Sequence, residues 1–405
     1  MSMSEKVNPR HLRALIAVVR SGSITKAAEQ LLRAPSAVAR SIRELEANLS
    51  VPLFERQPSG MLPTLFGVAA FSRAQRIAAE FEAARQEFAV LGLVSSAPLF
   101  SMMVSERQLT TMAKLRELRH MPSVARSLSI SQPAVSATLS HFESSVGAAL
   151  FRRTAKGMVV TEAGEILLFR IRRALVELRH LEGDVAQRRG EIAGRLMIAA
   201  LPSSRTLLLP KAIARLVGRY PQIQVSVVDA PFEILFADMQ SGEIDFILTG
   251  ISPEYLHKDL RVQTFGRHRL VVVARKGHPL ARKDRLRPHD VLDYPWVLRE
   301  SGAPSRELLN GVFRALGIPS PRVAVQAGDL GILRGLLMHS DMLSAVSAQH
   351  LQYEVQAGEI VVLDIDLKFS ERDIGFVLRK DAQPSALCLL LMDEIRVLAT
   401  SMYDW

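Results

Sequence analysis

The side chains best suited to chemistry in this sequence are arginines. Of the 26 basic residues within 1–190, only Lys6, Lys26, Lys114 and Lys156 are lysines. A guanidinium is a planar fork of donors that matches phosphate oxygens and the acceptor edge of guanine. That is binding chemistry. Groups for bond-making chemistry are scarce. No GxSxG, HExxH, GxGxxG or P-loop occurs. Ser23-Ile-Thr-Lys26 has SxxK spacing but lacks the motifs that accompany it, so chance explains it better. The ten histidines are scattered, and none is paired at metal-ligand spacing. Cys388 is the only cysteine, which excludes an internal disulfide and a multi-cysteine metal site. It sits in Ser-Ala-Leu-Cys-Leu-Leu-Leu-Met, where an apolar helix predicts a buried thiol. The expectation is a protein with no catalytic residue, metal or cofactor.

The elements that position these arginines follow from length and charge. A chain of 405 residues with 48% apolar and 23% charged side chains is globular, with two to three domains. Its net charge is +10. Residues 1–190 hold 26 basic against 16 acidic side chains, while residues 191–405 hold 25 of each. The whole excess lies in the first half. That suggests a nucleic-acid-binding part joined to a part with another task, against the alternative of a solvated basic face. No apolar run is long enough to span a membrane. The start, MSMSEKVNPRHLRALIAVVR, lacks the features of a secretory signal, so a cytoplasmic location is expected.

The first half repeats itself at an offset of 97. Arg10 pairs with Arg107, Leu12 with Leu109, Ala28 with Ala125, Leu31 with Leu128, and Ala37-Val38 with Ala134-Val135. Glu46 pairs with Glu143, Leu53-Phe54 with Leu150-Phe151, and Arg56 with Arg153. Gly60-Met61 meets Gly157-Met158, Thr64 meets Thr161, and Gly67 meets Gly164. Two copies of one module, about 8–92 and 105–189, are therefore expected, with a break at Ser95-Ser96-Ala97-Pro98.

Each copy reads as short helices, a turn-rich segment and a long helix. Asn8-Pro9 and the capping box Ser105-Glu-Arg-Gln108 start the first helices. Second helices cover about 24–32 and 121–128. Third helices run from Pro35 to about Asn48, and from Gln132, behind an N-cap at Ser131, to about Ser145. Two short helices meeting at a tight turn describe a helix-turn-helix. Arg56-Gln-Pro-Ser-Gly60 and Arg152-Arg-Thr-Ala-Lys-Gly157 then read as small β-wings with basic shoulders. Thr64 and Thr161 cap the long helices. Phe71, Ala74, Ala78, Phe81 and Phe88 in one, and Leu168, Ile171, Leu175, Leu178 and Val185 in the other, form matched apolar seams that favour helix pairing.

Ser131-Gln-Pro-Ala-Val-Ser136, Glu143, Leu150-Phe-Arg-Arg153 and Thr161-Glu-Ala-Gly164, in that order, resemble the winged helix-turn-helix of LysR-type transcriptional regulators. The first copy repeats the series in Gly22-Ser-Ile-Thr-Lys-Ala-Ala28, Leu45-Glu46, Val51-Pro-Leu-Phe-Glu-Arg56 and Leu62-Pro-Thr64. Members of that family usually carry one such domain, so two are a departure. The resemblance implies DNA contacts from Ser131, Gln132, Pro133 and Ser136 in the second copy, and from Pro35, Ser36, Arg40, Arg43 and Arg56 in the first. Arg152, Arg153 and Lys156 are the expected phosphate or minor-groove contacts of the second wing. Gln132 can bond an adenine edge, whereas Ala34, Pro35 and Ala39 offer no side-chain hydrogen bond at the matching positions. One reading makes the second copy the sequence reader and the first mainly a backbone anchor. The other has both reading bases through different contacts. The family's usual dimer also suggests that the two long helices pair within one chain.

Residues 194–405 alternate strand and helix patterns. Strands are expected near 195–200, 223–228, 244–249, 269–275, 322–326, 342–346 and 373–379, with helices at 206–219, 231–240, 304–316, 328–338 and 384–400. That pattern predicts an α/β domain with mostly parallel sheets. Gly194-Arg-Leu, Leu208-Leu-Pro210, Tyr220-Pro221, Ser241-Gly-Glu-Ile-Asp245 and His278-Pro-Leu-Ala281 resemble the family's two-lobed, periplasmic-binding-protein-like effector domain. Ligands of open α/β sheets bind beyond the carboxyl ends of strands. The residues expected there are Ser203, Ser204, Arg205 and Thr206, at the start of a helix suited to an anion; then Thr249 and Gly250; then Gly328 and Asp329. Plain N-capping is the alternative for the serines and Asp329. Arg267 and His268, near a lobe crossover, are weaker candidates.

The expected architecture is therefore multidomain. Winged helix-turn-helix copies at 8–64 and 105–161 carry linker helices at 65–94 and 162–190. An effector-binding domain covers 194–405, with lobe I at about 194–267 and 372–405 and lobe II at about 268–371. The expected function is sequence-specific transcriptional regulation of double-stranded DNA, controlled by a small-molecule effector such as an organic anion between the lobes. Expected partners also include RNA polymerase and further copies of the chain, as a dimer or higher oligomer, with no membrane. Two other functions fit the same features: a ligand-independent architectural protein or repressor whose α/β domain oligomerises, and an enzyme or solute binder on that fold.

Overall fold

The residues that recur at the 97-residue offset are those that lock each module together. The computed structural model describes residues 7–403 apart from Ser59, Lys156, Leu201, 252–258, Asp284, Asp366, Lys368 and Phe369. Of Ser203, Phe232 and residues 401–403 it describes the backbone alone. The first module comprises α1 (Pro9–Ser21), α2 (Ile24–Leu31), α3 (Pro35–Leu49), β1 (Phe54–Gln57), β2 (Gly60–Pro63) and α4 (Leu65–Val90). The second has the same order: α5 (Glu106–Leu118), α6 (Met121–Leu128), α7 (Gln132–Val146), β3 (Phe151–Thr154), β4 (Gly157–Val160) and α8 (Glu162–Arg188). These bounds fall within four residues of the expected ones.

Thr64 caps α4 by accepting from Gly67 N at 3.1 Å, and its hydroxyl donates to Pro52 O. Thr161 does the same with Gly164 N, at 3.1 Å, and with Ala149 O. Both glycines are obligatory, because a β-carbon would stand 2.1 Å from the carbonyl oxygen of Leu53 or of Leu150. Glu46 Oε1 accepts from Leu53 N and Phe54 N, and Glu143 Oε1 from Leu150 N and Phe151 N. A carboxylate on the third helix thus fixes the base of each wing. The wing tip is tied as well: Met61 N donates to Gly22 O, and Met158 N to Arg119 O. A side chain at Gly60 or Gly157 would collide with those same carbonyls, at 2.5 and 2.8 Å.

The expected break at Ser95–Pro98 is a packed connector. Ala97, Leu99, Phe100, Met102 and Val104 are buried, and the Phe100 ring meets Phe88 edge-to-face at 5.5 Å. The expected helix pairing is present. Antiparallel α4 and α8 bury Ala74, Ile77, Phe81, Ala84 and Phe88 against Leu168, Ile171, Ala174, Leu178, Leu181 and Val185. Phe71, Ala78 and Leu175 of the expected seams are only half-buried, while Ile77 and Ala84 were not anticipated. In α4 the buried set Ala74, Ile77, Phe81, Ala84 and Phe88 keeps the alternating 3/4 spacing of the expected seam, in a shifted phase.

The second half is mixed α/β. Its elements are β5 (Gly194–Ala200), α9 (Pro202–Arg205), α10 (Leu208–Arg219), β6 (Ile223–Val228), α11 (Phe232–Gln240), β7 (Phe246–Gly250), β8 (Leu260–Arg275), β9 (Trp296–Leu298), α12 (Pro304–Ala315), β10 (Val323–Gln326), α13 (Leu330–His339), β11 (Ser344–Ser347), α14 (Gln352–Gln356), β12 (Ile360–Leu363), β13 (Glu371–Arg379) and α15 (Ala386–Tyr403). The main sheet runs β11-β8-β13-β7-β5-β6, with β12 also on β8. Here the expectation of mostly parallel sheets fails. β5 is parallel to β6 and β7, and β9 to β10, but β13 is antiparallel to β7 and β8, and β11 and β12 are antiparallel to β8. The cause is β8, a strand of 16 residues rather than the expected seven. Its first part pairs with β13, and its last six residues take β11 and β12 on either side. It thereby joins two separate cores, one around Leu196, Phe246, Phe376 and Ile395, the other around Val272, Trp296 and Phe313.

Candidate functional site

Each module presents the start of its third helix to solvent. In the second, Ser131 caps α7 by accepting from Ala134 N, and Ser131, Gln132 and Pro133 are exposed while Ser136 is half-buried. In the first, Ala34 makes no side-chain cap, and Pro35, Ser36, Arg40 and Arg43 are exposed. The two faces differ in charge. Arg40 pairs with Glu44 at 2.8 Å, and Glu44 also meets His11 Nε2 at 3.0 Å. The hydrogen bond from Arg40 holds the Glu44 carboxyl below its ordinary range. Arg56 on β1, and Arg152 and Arg153 on β3, are exposed and form no ion pair among the described residues. Lys156 lies outside the described residues.

The ligand candidates of the α/β half fall into three places. The stretch Pro202–Thr206 does not open the long helix as expected. It forms the four-residue α9, and α10 starts separately at Leu208 with no side-chain cap. A single turn has no summed dipole to offer an anion, so the case for these residues rests on their side chains. Ser204 is fully buried and its hydroxyl has no partner among the described residues. Arg205 Nη2 pairs with Asp229 Oδ1 at 2.6 Å, and its Nε donates to Ala200 O. The Thr206 hydroxyl donates to Gln349 O at 3.3 Å, a direct bond between the two halves of the domain. Ser203 has no described side chain.

From Gln349 a chain of hydrogen bonds leads back to the second place. Ser347 Oγ donates to Gln349 Oε1 at 2.9 Å, His268 Nδ1 lies 2.9 Å from Ser347 Oγ, and Arg372 Nε donates to His268 Nε2 at 2.9 Å. Arg372 fixes the tautomer: Nε2 is an acceptor, so Nδ1 carries the proton. Burial, aided by the charge of Arg372, lowers the His268 pKa to about 3. Thr249 is buried with its hydroxyl on Gly250 O, and Gly250 lies directly under the Arg372 guanidinium. Arg267 is drawn away to Asp373 at 3.1 Å.

The third place is beside Arg299. Gly328 lies against Arg299 and Glu300. Asp329 caps α13, accepting from Ile332 N at 2.9 Å, which is the plain capping alternative. His350 connects this corner to the first. Burial, then the charge of Arg299, lowers its pKa to about 4, and Arg205 acts on it in the same direction. Together the three places combine neutral imidazoles, hydroxyls and fixed guanidiniums, a set of donors suited to an anionic ligand. A hollow of about 900 Å³ lies at the junction of β8, β12 and β13 and is lined by Arg267, Arg269, Ser370 and Arg372, but by none of Ser203–Thr206. No group of three metal-ligating side chains occurs among the described residues.

Ser347, Gln349 and His350 were not anticipated, although they follow a strand that was. The rule used for the other strands, to look beyond the carboxyl end, would have found them. Arg372 had no local signal, since it reaches His268 only through the β8–β13 register.

The domain is fastened to the helix pair from both sides. Arg172 meets Glu243 at 3.0 Å, and His180 meets Asp245 at 2.8 Å. The turn after β13 inserts its carbonyl groups between the helices: Arg73 donates to Gln383 O at 3.0 Å, Arg76 donates to Asp381 O, and Arg173 pairs with the Asp381 carboxylate.

Comparison with known proteins agrees with this layout. Residues 189–399 match the LysR substrate binding domain. Residues 9–68 and again 106–165 match the bacterial regulatory helix-turn-helix protein family of lysR type. The HTH-type transcriptional regulator GalR of Pseudomonas putida is 40% identical over 396 residues, covering 98% of each chain. GbpR of Rhizobium radiobacter is 26% identical over 60% of this chain and 82% of its own. Among solved structures, CbnR, a LysR family transcriptional regulator, covers 73% of this chain and 99% of its own at 22% identity, with a TM-score of 0.53. A full-length OxyR variant from Pseudomonas aeruginosa covers 73% of this chain and 95% of its own at 18% identity, with a TM-score of 0.56. The chain belongs to the LysR family of transcriptional regulators, with helix-turn-helix DNA-binding modules and an effector-binding domain.

Proposed function

We propose that this regulator is sequence-specific and that a small organic anion, bound between the two halves of its α/β domain, sets its activity. The supporting observation is the chain Arg372–His268–Ser347–Gln349, closed onto the other half by Thr206. A ligand carboxylate competing for Thr206 or Ser204, with Arg205 and Arg299 at hand, alters the hydrogen bond by which Thr206 ties the halves together. Hinge closure about β8 and β13 is then the coupling step. β13 carries that change to the Asp381–Gln383 turn, and so to both long helices.

The working units are those read from the sequence: heads at 8–64 and 105–161, helices at 65–94 and 162–190, and the effector domain at 194–405. Gln132, Ser131 and Ser136 read bases, with Pro133 shaping the helix start. Arg40, Arg43, Arg56, Arg152, Arg153 and Lys156 meet phosphates, flanked by Pro35 and Ser36. The α/β domain forms homo-oligomers through edge strand β6 and α10, which expose Val227 and Val217.

The test is thermal denaturation of the full chain against a panel of small carboxylates, with DNA affinity measured in parallel. A saturable shift together with a changed DNA affinity supports the reading. DNA binding without a saturable shift from any carboxylate favours the ligand-independent alternative.

A further inference from the structure

The polar flank of the α4–α8 pair repeats the sequence offset in three dimensions. Arg73 meets Glu177 at 2.7 Å and Asp184 at 2.8 Å. Ninety-seven residues on, Arg170 meets Glu80 at 3.0 Å and pairs with Glu87. Arg76 meets Glu177 at 2.8 Å, and its counterpart Arg173 meets Glu80 at 2.8 Å. Each arginine of one helix thus holds the acid whose counterpart is held by its own counterpart. Contacts that exchange i for j in this way are the mark of an isologous, two-fold interface. Here it lies within one chain. Each helix is clamped to its own head by the same Thr and Gly contacts, so the two-fold of the helices relates the heads.

The two-fold is broken at two levels. The heads present different groups at equivalent positions: Arg40 against Ala137, Arg43 against Ser140, Pro35 against Gln132 and Ala39 against Ser136. The α/β domain also contacts the pair unequally. Glu243 and Asp245 bind α8 through Arg172 and His180, while Gln383 binds α4 through Ser72 and Arg73.

We propose that a single chain reads one inverted repeat with unequal halves, and does so in one orientation only. Heads related by a two-fold axis address half-sites in opposite directions. Because the heads differ, one half-site carries strict base requirements, at the Gln132 head, and the other is held mainly through its backbone, at the Arg40–Arg43 head. The order of the halves then decides on which side of the site the α/β domain stands. This rests on the reading that both heads bind DNA.

The experiment uses the full chain and duplexes selected from a random library. Cys388 is fully buried, so one introduced thiol is a unique attachment point for a DNA-cleaving iron chelate. Gln57→Cys and Thr154→Cys place it at equivalent, exposed positions of the two wings. Each label is expected to cut only one half-site, a different one for each wing. Scrambling the half cut from Thr154→Cys should weaken binding at least about ten-fold. Scrambling the other half should cost less than about three-fold. Cutting of both halves by both labels would overturn the single orientation. Cutting by one label alone would overturn two-headed reading. Failure of the unlabelled chain to select any duplex would instead count against DNA binding itself.

Discussion

The guanidinium of Arg372 fills the space above Gly250 so closely that a β-carbon there would stand 2.2 Å from its Nε. Gly250 is therefore fixed by a side chain more than a hundred positions away, not by a turn. Gly250→Ala must push Arg372 off His268, and we expect loss of ligand response with DNA affinity retained. Ligand titration and DNA titration of the same variant check this.

His268 sets a pH dependence. It is neutral in the fold with a pKa of about 3, against 6.5 for the free side chain. Between those values the unfolded chain binds more protons than the folded one. Stability from this residue is thus complete above pH 6.5 and declines as pH falls toward 3, by about 1.4 kcal/mol per unit at most. His350, lowered to about 4, acts in the same direction. Denaturant midpoints at a series of pH values should fall more steeply for the native chain than for His268→Gln; equal slopes would refute the assignment.

Arg73 is about 1% exposed and serves Glu177, Asp184 and Gln383 O together. Burial alone would raise the Glu177 pKa, but Arg73 and Arg76 hold it below its ordinary value. Arg73→Ala leaves that carboxylate buried without its main partner and is expected to cost about 3–5 kcal/mol. Arg73→Lys should recover only part, because an ammonium cannot present the fork. Urea unfolding of both variants gives the comparison.

On DNA, Gln132→Ala should relax base preference at one position, by about 1–3 kcal/mol between right and wrong base. Arg40→Ala with Arg43→Ala should leave preference intact and flatten the dependence of log K on log salt by up to about 2. The Arg40–Glu44 pair must be given up on binding, which reduces the effect of Arg40 below that of a free arginine. A salt series on two duplexes separates these outcomes.

The modules were legible because their signals are local. Caps at Ser105, Ser131, Thr64 and Thr161, and turn glycines at 60 and 157, each act within a few residues. The isologous ion pairs were also within reach of the 97-residue offset: Arg73, Arg76 and Glu80 recur as Arg170, Arg173 and Glu177, just beyond the Gly67–Gly164 match. The α/β half was less legible. Residues 260–268 carry Arg261, Arg267 and His268, which masked the alternation of β8. Its length, and with it the antiparallel half of the sheet, is decided by partners far along the chain. The cleft suffered most, because Arg372, Ser347 and Gln349 meet His268 and Thr206 only after that sheet has formed.

The turn at Asp381–Gln383 has a consequence for synthesis. Arg73 leaves the ribosome 310 residues before the carbonyl that receives it. At ordinary elongation rates the interval is roughly 15–60 s. During that time Asp184 and Glu177 emerge first, so the two heads can clasp each other early, while their junction stays hydrated. Only when β13 and the following turn arrive is water driven from between Arg73, Arg76 and Arg173. A nascent chain stalled before that point would carry both helix-turn-helix heads but not the completed substrate-binding domain.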